Sequence, residues 1–285
     1  MLSATRYRAT VEIGRQNDLT SDIAKLQQSI SSTKRLSKAS DDPAAATRIS
    51  ELRQVQADEL VWKNNINTGA SVAAAVDNRL GGIGDVLNRA KELILRGRND
   101  STSPSDRQAI ALSLRELATD LDSSATATDS SGNALFPTDP AFGIPVSETL
   151  SLPATVTRSD VFDNIPTADG PQSLQQMLRG AADAIVNTNL TQRATDVAAS
   201  VAAVDNGIAH VIAVRTDQGI RAARFDEARD SLETRVEQHK EERSVLEDTD
   251  LTYALSTIQA KQLSLQAAQT VYAQTMKSTL FDLIG

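Results

Sequence analysis

The chain has no cysteine among its 285 residues. That excludes disulfides, thiolate nucleophiles and thiolate metal sites together, and leaves the redox compartment open. Aromatic residues make up only 3%, and glycine and proline are few at 13 and 8, a composition with little material for a compact core. Of the two histidines, His210 and His239, neither has the other within helical metal-pair spacing, so both read as structural and the sequence names no metal ligand, cofactor site or catalytic residue. No apolar run approaches the length needed to span a bilayer. The opening Met1-Leu2-Ser3-Ala4-Thr5-Arg6-Tyr7-Arg8 is polar and lacks the apolar centre of a cleaved secretory signal. A net charge of −8 and a pI near 4.9 set nucleic acid and anionic membranes aside, because the long-range field repels phosphate.

What is present is alanine, leucine, serine and charge in helical periodicity. In the first segment Tyr7, Val11, Leu19, Ile23, Leu26 and Ile30 fall on one face, a single stripe with nothing beside it in sequence to cover it. Asp42 then caps a helix that Pro43 opens. From there a heptad pattern runs through Leu52, Val55, Trp62, Ile66, Ala73, Val76, Leu80, Ile83, Leu87, Ala90 and Ile94, the seam of a coiled coil. Trp62 on that seam reads as packing. Gly81-Gly82-Ile83-Gly84 keeps the phase and follows no strand, so it suggests a bend or a close helix approach and not a phosphate loop.

Gly97 ends this helix, and Ser103-Pro104 begins another with Ile110, Leu114, Leu117 and Leu121 on its face. Between Ser123 and Pro171 the character changes: prolines 137, 140, 145, 153, 166 and 171 and phenylalanines 136, 142 and 162 cluster there. The runs Thr155-Val156-Thr157 and Asp160-Val161-Phe162 suggest short strands in a small insertion that the helices can do without. Helical phase resumes with Leu174, Leu178, Ala182 and Ile185, continues through Val197, Val201, Val204, Ile208 and Val211, then Phe225, Leu232, Val236, His239 and Leu246. Leu251, Leu255, Ile258, Leu265, Tyr272 and Met276 form a second terminal stripe, and the simplest cover for each terminal stripe is the other.

These patterns predict a mainly α fold: an elongated antiparallel helical rod or coiled coil with paired terminal helices and a small β-containing insertion. The expected divisions are 1–38 plus 249–285 for assembly, 39–124 plus 172–248 for the rod, and 125–171 for a tip.

Ile30-Ser31-Ser32-Thr33-Lys34-Arg35-Leu36 followed by Ser40-Asp41-Asp42-Pro43-Ala44-Ala45 resembles the N-terminal signature shared by flagellins and hook–filament junction proteins of the flagellin superfamily. Ser244-Val245-Leu246-Glu247-Asp248-Thr249-Asp250 and the ending Ser278-Thr279-Leu280-Phe281-Asp282-Leu283 are similar to the junction (hook-associated protein 3) branch, as is Gly132-Asn133-Ala134-Leu135-Phe136 in the middle. Thr33 stands where that family commonly has glycine, which puts a left-handed helix end there in question. No arginine follows the initiator methionine, another departure.

The resemblance implies a structural subunit and no enzyme, exported by the flagellar type III system to the extracellular flagellum. It also implies a homo-oligomeric ring, hook-associated protein 1 and flagellin as neighbours, and a cytoplasmic export chaperone. The alternatives are a short flagellin that builds the filament, or a surface protein whose insertion binds carbohydrate or a host.

Overall fold

The computed structural model describes residues 2–36, 38–140, 143–168 and 170–284, with side chains described in the terminal helices for Tyr7 and from 9 to 274. Seven helices, α1 (Leu2–Ser32), α2 (Pro43–Gly97), α3 (Pro104–Ala125), α4 (Arg158–Phe162), α5 (Leu174–Val186), α6 (Leu190–Glu247) and α7 (Leu251–Ile284), and one two-stranded antiparallel sheet, β1 (Ile144–Pro145) with β2 (Ser151–Leu152), make up the regular structure of the described residues. The chain divides into two compact units, 1–57 with 235–285 and 58–234.

Local chemistry accounts for the helix starts. Oδ1 of Asp42 accepts from the backbone N–H of Ala45 at 3.0 Å, with Pro43 at the first helical position where no donor is missed. Those hydrogen bonds, the one from Ala45 foremost and the Arg35 guanidinium beside it, hold the Asp42 carboxyl below the usual aspartate range. Ser103 caps α3 through Asp106, and Ser173 and Gln176 cap α5 reciprocally.

In the unit 58–234, the α2 seam turns inward: Ile66, Ala73, Val76, Leu80, Ile83, Leu87, Ala90 and Ile94 are all buried. From Val76 onward they meet Ile110, Leu114 and Leu121 of α3, Leu174, Leu178, Ala182 and Ile185 of α5, and Val197, Val204 and Val211 of α6 in one core. Trp62 is only half-buried. Close approach occurs at Gly69 and Gly207, and not at the 81–84 glycines. A Cβ on Gly69 would meet the Phe225 ring, and one on Gly207 would meet Leu174. Gly82 and Gly84 have open space, and the Arg215 guanidinium, paired with Asp77 at 2.9 Å, lies near Gly81.

The middle segment differs from the sequence expectation in two ways. Its strands are 144–145 and 151–152; Thr155–Thr157 pairs with no strand, and 158–162 is a helical turn because the Thr157 hydroxyl accepts from the Asp160 amide and so caps it. The segment is also part of the main core. Leu135, Phe136, Val156, Val161, Phe162 and Ile165 are buried within the helical core itself, and Phe136 meets Phe162 edge to face at 5.4 Å. Phe142 lies outside the described residues.

With so few ladder bonds of its own, the segment has its carbonyls served by helix side chains. Asn65 donates to the carbonyl of Pro145, Asn206 to Pro166, Gln218 to both Ala154 and Ala73, and Arg221 to Thr155. His210 joins the set through Nε2, 2.8 Å from the Asp160 carbonyl; since a carbonyl only accepts, that nitrogen carries the proton.

One reading of the sequence needs correction. By length and composition alone, α6 holds a stretch apolar enough to cross a membrane. Alanine and valine between scattered polar residues disguise it, and its Val204, Gly207 and Val211 face the core.

Candidate assembly surface

The unit formed by residues 1–57 and 235–285 packs differently. α1 lies against α7, and the pairing is registered by an ion pair from Lys261 to Asp22 at 2.7 Å. That Lys261 hydrogen bond holds the Asp22 carboxyl below the ordinary aspartate range. Ile23, next to Asp22, and Ile258, one turn before Lys261, are buried together with Ala254. Of the remaining stripe positions, Leu19, Leu26, Ile30, Leu265 and Tyr272 are half-buried, whereas Tyr7, Val11, Leu251 and Leu255 are exposed. Met276 lies outside the described side chains.

The structure adds residues that the stripe omitted. Ile13 on α1 and Tyr253, Leu263 and Val271 on α7 are also large apolar side chains in solvent, Leu263 at 69% exposure and Tyr253 at 68%. A signal for them was present: the apolar residues of α7 are spread around the helix instead of along one row, and an all-round apolar helix needs cover on more than one side. The surface can therefore do one thing chemically, which is to lose apolar area to another helix, at about 25 cal/mol per Å2 removed from water.

At the inner end of this helical pair the two connecting turns are joined. α1 terminates at Thr33 with φ 57°, the left-handed conformation that glycine commonly supplies and that a β-branched residue adopts under strain. The Thr33 carbonyl accepts from the Thr249 amide at 2.9 Å, and the Arg35 amide donates to the Glu247 carbonyl at 2.8 Å. Lys34 bridges to Asp248 between them. The buried Glu247 carboxylate receives Lys34 Nζ at 2.6 Å, Arg53 of α2 at 2.9 Å and Arg243 of α6 at 3.7 Å. The Lys34 hydrogen bond, with Arg53 adding to it, outweighs desolvation and holds this carboxyl below the usual glutamate range. Arg35 donates to the Leu246 carbonyl and reaches Asp42.

Two family models match the chain: the bacterial flagellin N-terminal helical region over residues 7–139, and the bacterial flagellin C-terminal helical region over residues 201–284. Together they take in well over half of the residues, including both faces of the α1–α7 pair. The chain belongs to the flagellin family.

Within this family, flagellar hook-associated protein 3 of Salmonella typhimurium is 24% identical over 291 residues, covering 91% of this chain and 92% of that protein. The flagellar filament 30.7 kDa core protein of Treponema maltophilum is 24% identical over 252 residues, covering 87% and 86%. The flagellin-family fold is shared with the crystal structure of flagellar hook-associated protein 3 from Legionella pneumophila, at a TM-score of 0.64 and 13% identity over 70% of this chain and 98% of that one. Among the described residues no three His, Cys, Asp or Glu side chains are placed to hold a metal ion.

Proposed function

We infer that this chain is a structural subunit of the bacterial flagellum that joins the hook to the flagellin filament. The observation that carries the reading is the 24% identity to a hook-associated protein 3 over nine-tenths of both chains, supported by the junction-type residues at 244–250 and 278–283. In this reading the terminal segments 1–38 and 249–285 are the assembly domain, and 39–124 with 172–248 form the helical body that carries 125–171. The exposed side chains Tyr7, Val11, Leu251 and Leu255, with the half-buried Leu19, Leu26, Ile30, Leu265 and Tyr272, are then completed by neighbouring subunits. Ile23 and Ile258 hold the pair that presents them, and Met276 continues the stripe.

The finer picture is a homo-oligomeric ring seated between hook-associated protein 1 and flagellin. A cytoplasmic chaperone covers the apolar termini before export through the flagellar type III system to the cell exterior. The mechanism is mechanical: repeated burial of apolar stripes between copies, with no reaction.

The second reading, a short flagellin, is favoured by the filament core protein from Treponema maltophilum, which is similar in extent. Gold-labelled antibody on isolated flagella separates the two. A single band between hook and filament supports the junction subunit; label along the filament supports the flagellin and overturns it.

A further inference from the structure

Four observations meet at the turns between the terminal helices and the remainder of their unit. Thr33 is held left-handed at φ 57°. Two backbone hydrogen bonds, Arg35 to the Glu247 carbonyl and Thr249 to the Thr33 carbonyl, tie one turn to the other. Three cations drawn from three elements, Lys34 of the turn, Arg53 of α2 and Arg243 of α6, share the one buried carboxylate of Glu247. The other charged groups nearby are engaged elsewhere: Asp42 with Arg35 and the α2 amides, Glu242 with Arg48, and Asp248 with the Ser244 hydroxyl.

Strained backbone persists only where the surroundings over-determine it, and it collects at positions that switch between conformations. Here the surroundings are electrostatic. With Glu247 charged, the three cations are drawn to one point and the turn is pulled against α2. With that charge gone, the same three cations repel each other, and the 33–35 turn is left with its two backbone hydrogen bonds and the Arg35 contacts to the Leu246 carbonyl and Asp42 to oppose the left-handed strain.

We propose that Glu247 is an electrostatic lock that holds the joint of the terminal helices in a strained closed conformation, and that losing its charge lets the turn at Thr33 relax. The joint is thus a two-state element biased by one side chain. It separates holding the α1–α7 pair together, which Asp22–Lys261 and the Ile23–Ile258 layer do, from fixing that pair to α2. The proposal stands independently of whether the subunit works at a junction or in a filament.

The test is hydrogen exchange of the full chain, read at the Arg35 and Thr249 amides and, as control, at Leu52 inside α2. Glu247→Gln keeps the shape and removes the charge. Protection at the two turn amides should fall about tenfold or more while Leu52 stays within about twofold. Adding Thr33→Gly removes the cost of the left-handed turn and should restore protection to within about threefold of the parent. The proposal is overturned if Glu247→Gln leaves both amides within about twofold of the parent, if Leu52 loses protection in parallel, or if Thr33→Gly brings no recovery.

A pH series on the unsubstituted chain serves if the glutamine variant does not fold. Protection of the two turn amides lost on acidification below pH about 4, ahead of Leu52, supports the lock. Loss in step with Leu52 overturns it.

Discussion

The unit 58–234 and the unit of residues 1–57 with 235–285 use the same helical periodicity to opposite ends. In the first, the stripes of α2, α3, α5 and α6 close on one another until Leu80, Leu87, Leu114, Leu121, Val161 and Phe162 have no solvent contact. In the second, two helices face each other, Ile23 and Ile258 are shielded, and Tyr7, Val11, Ile13, Leu251, Tyr253, Leu255, Leu263 and Val271 remain in water. A helix pair has too few sides to cover its own apolar residues. The contrast separates side chains that stabilise the subunit from side chains left for other subunits, and substitutions should sort accordingly.

The largest effect is expected in the sealed unit. Phe162→Ala should cost about 3–5 kcal/mol, since the ring is fully buried and its loss leaves a cavity beside Phe136. Replacing residues 127–169 with a Gly/Ser linker should do more, lowering the melting temperature of the helical body by well over about 10 °C because six core side chains leave with the segment. Unchanged calorimetric unfolding after that deletion would mean that the helices close without it.

Next comes the shielded layer of the terminal pair. Ile23→Asp or Ile258→Asp places a charge where a buried isoleucine stood. Circular dichroism should show α1 and α7 losing helix while the 58–234 core melts as before, and flagella from such a strain should lack the subunit. Flagella of normal composition and motility would remove the terminal pair from assembly.

Smaller in the monomer are changes at the exposed row. Leu263→Ser with Val271→Ser should alter monomer stability by less than about 0.5 kcal/mol, because both side chains are already in solvent. Sedimentation should nonetheless show weaker self-association; equal association by parent and variant would make that row idle surface.

The mildest perturbation is acid. Glu247 and Asp42 both titrate below their ordinary values because they are hydrogen-bonded as carboxylates, so their contribution is complete above about pH 4.5 and fades as pH falls through the lowered values. Proteolysis in the 33–36 turn at pH 3 to 4, before helix content changes, is the expected sign. Cleavage rates flat from pH 7 to 3 would place the stability of this unit elsewhere.

Much of the helical framework was readable, for reasons the structure makes concrete. Asp42-Pro43 and Ser103-Pro104 combine a cap with a residue that needs no donor, and the α2 seam is long enough that phase alone identifies its buried side. On the two terminal segments phase found the buried Ile23 and Ile258 but grouped them with the exposed Tyr7, Val11, Leu251 and Leu255 and left out Ile13, Tyr253, Leu263 and Val271. The joint was not readable. Thr33 carries no local mark of a left-handed turn, and the groups bonded to that turn, Glu247 and Thr249, lie more than two hundred positions away. Glu247 was only one position of the 244–250 segment until the fold brought Lys34 and Arg53 to it. Gln218, fully buried in α6, was invisible because its partners are carbonyls of Ala73 and Ala154. The middle segment was misjudged because prolines and short β-branched runs describe its backbone and say nothing about where Phe136 and Phe162 end up.

The carbonyls of that middle segment are met by side chains of two helices distant in sequence: Asn65 reaches Pro145 across 80 positions, Gln218 reaches Ala154 across 64 and His210 reaches Asp160 across 50. Each of these bonds closes a loop of 50 to 80 positions, so the segment is completed only once both α2 and α6 have come to it. Closing such long loops is slow relative to helix formation. A refolding experiment followed by helix signal and by exchange at residues 146, 165 and 172 should therefore show two phases, with the helices leading and the segment setting the time at which the subunit is finished.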